Sequence, residues 1–250
     1  MSYSNNGESH YILPPVHEVV CQVRFPAILS INTTDPADFQ EQIRDIFPKY
    51  STRQEKSPQP NVPPVTNHTF ISADNRWKLN LTKEFLSLST LQYSSWSEFA
   101  AQLDRPLAEF IRIYKPANFS RVGLRYMNLV NREKLGLENC SWDELIAPAY
   151  LGPMAEGSFN PEDVLSINTN FSLKLSTSAR ANVKSGTIQL QQKTPEGIKK
   201  SKPMFLFDMD LFMAGETPCT LCAPALQTLH GHALPLFEDF LTDTLRNAMN

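Results

Sequence analysis

The 250-residue chain holds no apolar run near the roughly 18 residues that a membrane-spanning helix needs, so none is expected. Glycine is scarce at 9 residues, and neither GxGxxG nor GxxxxGK[S/T] occurs, which removes the loops that cradle phosphates. GxSxG and HExxH are missing too, so the sequence offers neither a nucleophile elbow nor a zinc-protease helix. The 4 cysteines, at positions 21, 140, 219 and 222, are too few for a disulfide scaffold. They read as free thiols in a reducing compartment. Charge of one sign is also lacking: 23 Lys and Arg face 26 Asp and Glu, and the net charge of -3 gives no global basic field for nucleic acid or anionic membrane. The opening MSYSNNGESHYILPP has neither a basic nor an apolar leader region, so the expected location is cytoplasmic.

What is present is a 41% hydrophobic, 20% charged composition that can bury a sizeable core. Past a flexible polar tail over 1–12, one domain over 13–250 is expected. His17, Val19, Cys21, Val23 and Phe25 alternate with Glu18, Val20, Gln22 and Arg24, the period of a strand. Asp35-Pro36 opens a helix with an apolar stripe at Phe39, Ile43, Ile46 and Phe47, which Pro48 stops. Residues 51–66 carry four prolines and no periodicity, and read as a mobile surface loop. Strands over 69–89 lead to Ser95-x-x-Glu98, a capping box, and a long helix to Tyr114.

The order then recurs. A strand covers 121–131, and Ser141-x-x-Glu144 caps a short helix. In 165–175, Leu165, Ile167, Thr169, Phe171, Leu173 and Leu175 oppose Ser166, Asn168, Asn170, Ser172 and Lys174. Further strands lie near 180–192, with Gly186 at a bulge, and 204–213, and one helix spans 224–249. Both halves, about 13–116 and 117–250, thus read strand, helix, strands, helix. The expected fold is α+β: one curved antiparallel sheet from two similar halves, an internal duplication, with the helices packed on one face.

Pro14-Pro15-Val16-His17-Glu18-Val19 and Arg121-Val122-Gly123-Leu124-Arg125-Tyr126-Met127-Asn128, with the segment from Leu79 through Tyr93 and Trp96, resemble an uncharacterised, sporadically distributed bacterial family of similar length. That family has a PPVxEV-type first strand and an RxGLRYxN-type central strand. The resemblance spans essentially the whole chain. It carries over no catalytic residues, and its patchy distribution implies a mobile-island setting such as phage defence or a toxin–antitoxin module.

Two constellations invite chemistry. Cys219-x-x-Cys222 with His230-x-His232 suggests zinc, but two histidines at i and i+2 of a helix point about 200° apart, so no metal site is expected. Asp208 and Asp210 share one face of a strand whose other face is apolar, and no third acid or positioned histidine is near in sequence. They read as partners for arginine. By parity Arg24 and Arg125 reach the helix-free face with Asn168, Asn170, Asp208 and Asp210, and these six residues form the expected binding surface. The expected function is therefore a non-enzymatic protein that binds another protein through its sheet face or edge, with no cofactor. The alternative is an enzyme or a single-stranded nucleic-acid binder whose site is assembled from distant residues.

Overall fold

The computed structural model describes residues 11–55, 64–156, 159, 163–164, 166–189, 191–194, 197–200 and 202–250. The strands are β1 (Val16–Arg24), β2 (Lys49–Glu55), β3 (Val65–Ile71), β4 (Trp77–Leu81), β5 (Phe85–Thr90), β6 (Phe119–Val130), β7 (Asn168–Lys174), β8 (Ala179–Ile188), β9 (Gln191–Thr194), β10 (Gly197–Lys200) and β11 (Met204–Thr217). The helices are α1 (Ser30–Thr33), α2 (Ala37–Ile43), α3 (Trp96–Tyr114), α4 (Arg132–Leu135), α5 (Trp142–Leu145), α6 (Cys222–Phe240) and α7 (Asp243–Met249). Nine strands form one antiparallel sheet in the order β2-β3-β4-β5-β1-β6-β11-β8-β7, and β9 pairs with β10 apart from it. The fold is α+β, and no described helix is long and apolar enough to cross a membrane.

Two compact units divide the chain, and their limits differ from the halves read in the sequence. The first takes Glu18–Arg125 and Phe212–His230. Its core forms where inward positions of consecutive strands line up: Cys21 faces Leu88, Leu88 faces Leu79, and Leu79 faces Phe70 across the ladder. Helices cover that face, with Phe70 meeting Phe39 of α2 at 5.6 Å and Trp77 meeting Phe99 of α3 at 5.6 Å. The Ser95 side chain accepts from the Glu98 N–H, as a cap should. The reciprocal half of the box is replaced, because the Glu98 carboxylate accepts from Ser94 Oγ and from Arg76 instead.

The second unit takes residues 11–17, Tyr126–Leu211 and Gly231–Asn250. Aromatic rings dominate its core. Phe207 of β11 stacks on Phe240 of α6 at 4.1 Å with the rings nearly parallel, and Tyr150 meets both edge-on. The buried Asn128 amide donates to the Phe207 carbonyl at 3.1 Å, so a polar side chain on the inward face of β6 is satisfied by its neighbouring strand. The full capping box forms at Ser141 and Glu144 ahead of α5.

Four expectations need correction. Residues 51–55 are not loop: they form most of β2, paired with β3 from Lys49–Ile71 to Glu55–Val65, and the rest of the expected loop up to 63 lies outside the described residues. The residues of β2 are all exposed, so this edge strand shows no hydrophobic period to read. The expected helix over 224–249 is two helices. Thr242 ends the first run because its side chain both caps α7 by accepting from the Leu245 N–H and donates to the Leu145 carbonyl. Tyr11, expected in a free tail, is tied down by its hydroxyl donating to Glu238 at 2.6 Å and its ring meeting Phe237; residues 1–10 lie outside the description. His17, expected inward, is exposed at the start of β1.

Candidate binding face

The residues expected to bind fall on β1 and β6 in the first unit and on β7 and β11 in the second. In the first unit Arg24 is exposed at the end of β1 and donates from Nε to Gln22 Oε1 at 2.8 Å. Arg125, half-buried, follows the inward Leu124 on β6, the strand next to β1. The same face shows a pairing that sequence reading missed. The Arg121 guanidinium lies over the Phe212 ring at 4.7 Å, a cation–π contact from β6 to β11. Gly123 makes room for it, since a Cβ there would stand 2.2 Å from the guanidinium. This explains why the central motif holds a glycine two residues after its arginine.

In the second unit Asn168 and Asn170 are exposed on β7, paired with Gly186 and Lys184 of β8. Asp210 is half-buried on β11, and Asp208 is only 3% exposed. Asp208 is therefore no part of an open surface, contrary to its expected place in one. A carboxylate this deep in a sheet is held by its surroundings rather than presented to a partner.

The ladder of β7 with β8 gathers a set that the sequence showed only in part. Asn168, Asn170, Ser172 and Lys174 alternate with the half-buried Thr169, Phe171 and Leu173. Across from them Arg180, Asn182 and Lys184 alternate with the buried Ala179, Ala181 and Val183. Directly paired residues project to the same side of a sheet, so seven exposed polar side chains share one face. It holds three cations and no acid, and none of Lys174, Arg180 and Lys184 forms an ion pair among the described residues. Ser172 donates to Asn182 Oδ1 at 2.8 Å, which ties the hairpin across its middle. The missed signal was the period-2 pattern of Arg180, Asn182 and Lys184, a cationic stripe inside a chain of net charge -3.

Cys21, Cys219, Cys222, His68 and His230 sit in the fold rather than on this face. Burial pushes the Cys222 thiol up to about 12 and the Cys21 thiol well above its usual range, so both stay protonated at neutral pH. Partial burial raises Cys219 as well, and its Sγ contacts the Pro116 carbonyl at 3.4 Å. His230 stacks flat on Trp96 at 4.7 Å. His68 is buried with both ring nitrogens engaged: Nε2 donates to the Ile31 carbonyl at 3.0 Å, which leaves Nδ1 to accept from the Tyr50 hydroxyl at 2.9 Å. Among the described residues no group of three or more His, Cys, Asp and Glu is arranged to hold a metal ion. No family model matches the chain, and no curated protein matches it.

Proposed function

We propose that this is a non-enzymatic binding protein that recognises another protein through the helix-free face of the β7–β8 hairpin. One observation carries the reading: seven exposed side chains on a single strand pair, three of them cations without an ionic partner among the described residues. Keeping three like charges on one small face raises self-repulsion, which a partner of opposite charge relieves. Asparagine and serine between them supply donors and acceptors suited to peptide groups. A single-stranded nucleic acid is the weaker match, because such sites interleave cations with stacking aromatics, and none of the seven positions is aromatic. The buried thiols of Cys21 and Cys222, held protonated, are core groups and poor nucleophiles. Arg24 and Arg125 belong to the same proposal as a second contact region on the first unit. So do a cytoplasmic location, the duplication of the two halves, and a setting in a phage-defence or toxin–antitoxin module.

The experiment is quantitative co-purification with the tagged full chain from its native cells, with and without nuclease, against a Lys174→Glu, Arg180→Glu, Lys184→Glu variant. All three side chains are exposed, so the variant should melt like the wild type. The expected result is a stoichiometric protein that survives nuclease and is lost with the variant. Retention of that protein by the variant, or its loss on nuclease treatment, would overturn the reading.

A further inference from the structure

β7 closes one end of the nine-stranded sheet, so its outer edge has no partner strand among the described residues. Which backbone groups face that edge follows from the ladder. The Leu175 N–H donates to the Ala179 carbonyl at 2.9 Å and the Thr187 N–H to the Ile167 carbonyl at 3.1 Å, and both pairs lie in the β7–β8 register. Bonded and non-bonded pairs alternate along antiparallel strands. Odd positions therefore bond to β8, and the N–H and C=O groups of Asn168, Asn170, Ser172 and Lys174 point outward. Each of these residues also places its side chain on the polar, cationic face. The other face of the edge is different: Phe171 and Leu173 stand half-buried there, with Phe171 meeting the Tyr150 ring at 6.0 Å.

Natural edge strands are commonly blunted by bulges, prolines or inward charges. Of the known devices, which include edge lysines, β7 carries over its seven residues a single lysine, Lys174 at its C-terminal end. The exposed backbone, the apolar side and the cationic side together define an occupant. We infer that β7 accepts an extended segment of a partner protein as an added strand, with acidic residues alternating with apolar ones. The acids would stand beside Asn168, Asn170, Ser172 and Lys174, with the long side chains of Arg180 and Lys184 reaching toward them from the next strand, and the apolar residues would cover Phe171 and Leu173. In strand addition, main-chain bonds give affinity and alternate side chains give specificity. This inference rests on the binding face proposed above and names its ligand class.

The test uses the full chain and a fluorescent peptide of alternating aspartate and valine, seven residues long. Its controls are a peptide of the same composition with the aspartates in one block, the alternating peptide N-methylated at every second residue, and a single-stranded RNA oligonucleotide. The alternating peptide should bind, and both peptide controls should bind about tenfold or more weakly, because they lose either the side-chain register or the ladder bonds. Amide exchange at Asn168, Asn170 and Ser172 should slow in the complex. Asn170→Pro removes an outward N–H while leaving the β7–β8 bonds intact, so it should preserve melting and cost about tenfold in peptide affinity. Equal binding of the blocked peptide, or tighter binding of RNA, would overturn strand addition. So would absence of peptide binding in a protein that still captures its partner through the three cations. Loss of the capture itself would instead remove the parent reading.

Discussion

Gly186 is where a single methyl group tests how β7 is held. It pairs with Asn168 on the ladder, and a Cβ built there would stand 2.1 Å from the Ile167 carbonyl oxygen and 2.8 Å from its carbon. Both obstacles are backbone, so no rotamer change relieves them, and β7 must retreat by about 1 Å to reach a normal contact. That shift strains the two bonds that seat the start of the strand, Thr187 N–H to Ile167 O and Ile167 N–H to Thr187 Oγ1, each 3.1 Å long. Overpacking against rigid atoms costs about 1–3 kcal/mol. Weakening two hydrogen bonds adds about 1 kcal/mol. Gly186→Ala should therefore destabilise by about 2–4 kcal/mol, a fall in melting temperature of about 5–15 °C. Gly231→Ala is the matched control, because it lies exposed in α6 with nothing within 4 Å of the added carbon. Alanine there should raise stability by about 0.5–1 kcal/mol. Thermal unfolding of both variants, followed by circular dichroism, reads the pair. If Gly186→Ala melts with the wild type, the close approach of β7 to β8 is wrong, and the edge built on it falls too.

Phe240→Ala should cost about 3–5 kcal/mol in denaturant unfolding, since its fully buried ring stacks on Phe207 and meets Phe205 and Tyr150; a loss under 1 kcal/mol would refute that core. In the native protein at pH 8, iodoacetamide should leave Cys21 and Cys222 unmodified by mass spectrometry, because burial keeps both thiols protonated, and rapid labelling of either would contradict the packing. The Glu98 carboxyl is held below its usual value of 4.5, first by the Ser94 hydroxyl and then by Arg76. Its contribution is complete above pH 4.5 and is lost as pH falls through the lower folded value, so Glu98→Gln should flatten the acid limb of stability against pH. An unchanged limb would remove Glu98 as a source of that dependence.

The sequence was most legible where one face of an element is buried. β1 and β6 show their period because Val19 and Leu124 pack inward beside Glu18 and Arg125, and parity alone gives the two faces. It was least legible at edges. β2 has no buried residue, so its pairing with β3 left no hydrophobic mark, and prolines just beyond it favoured a loop reading. β7 shows the converse: its alternation suggested a core strand, yet Leu173 is half-exposed because nothing covers the strand's outer side among the described residues. An acid placed there should perturb the edge rather than unfold the protein. The break at Thr242 was hidden because the apolar spacing of Phe237, Phe240, Leu241 and Leu245 runs on through it. For the site, parity found Asn168 and Asn170, while the burial of Asp208 depends on long-range packing that strand period does not encode. The cations of β8 acquire meaning only through the register that sets Lys184 beside Asn170 and Arg180 beside Lys174.

If the β7–β8 hairpin is the surface that meets a partner protein, its amides must be the ones the partner covers. Amide hydrogen exchange of the full chain, free and in complex with the protein it captures, measures this directly. Exchange should slow over 168–174 and 180–184, most at the outward amides of Asn168, Asn170, Ser172 and Lys174, with β3 and β4 unchanged. Protection confined to α3 or to β3 and β4, with the hairpin exchanging as in the free protein, would contradict it.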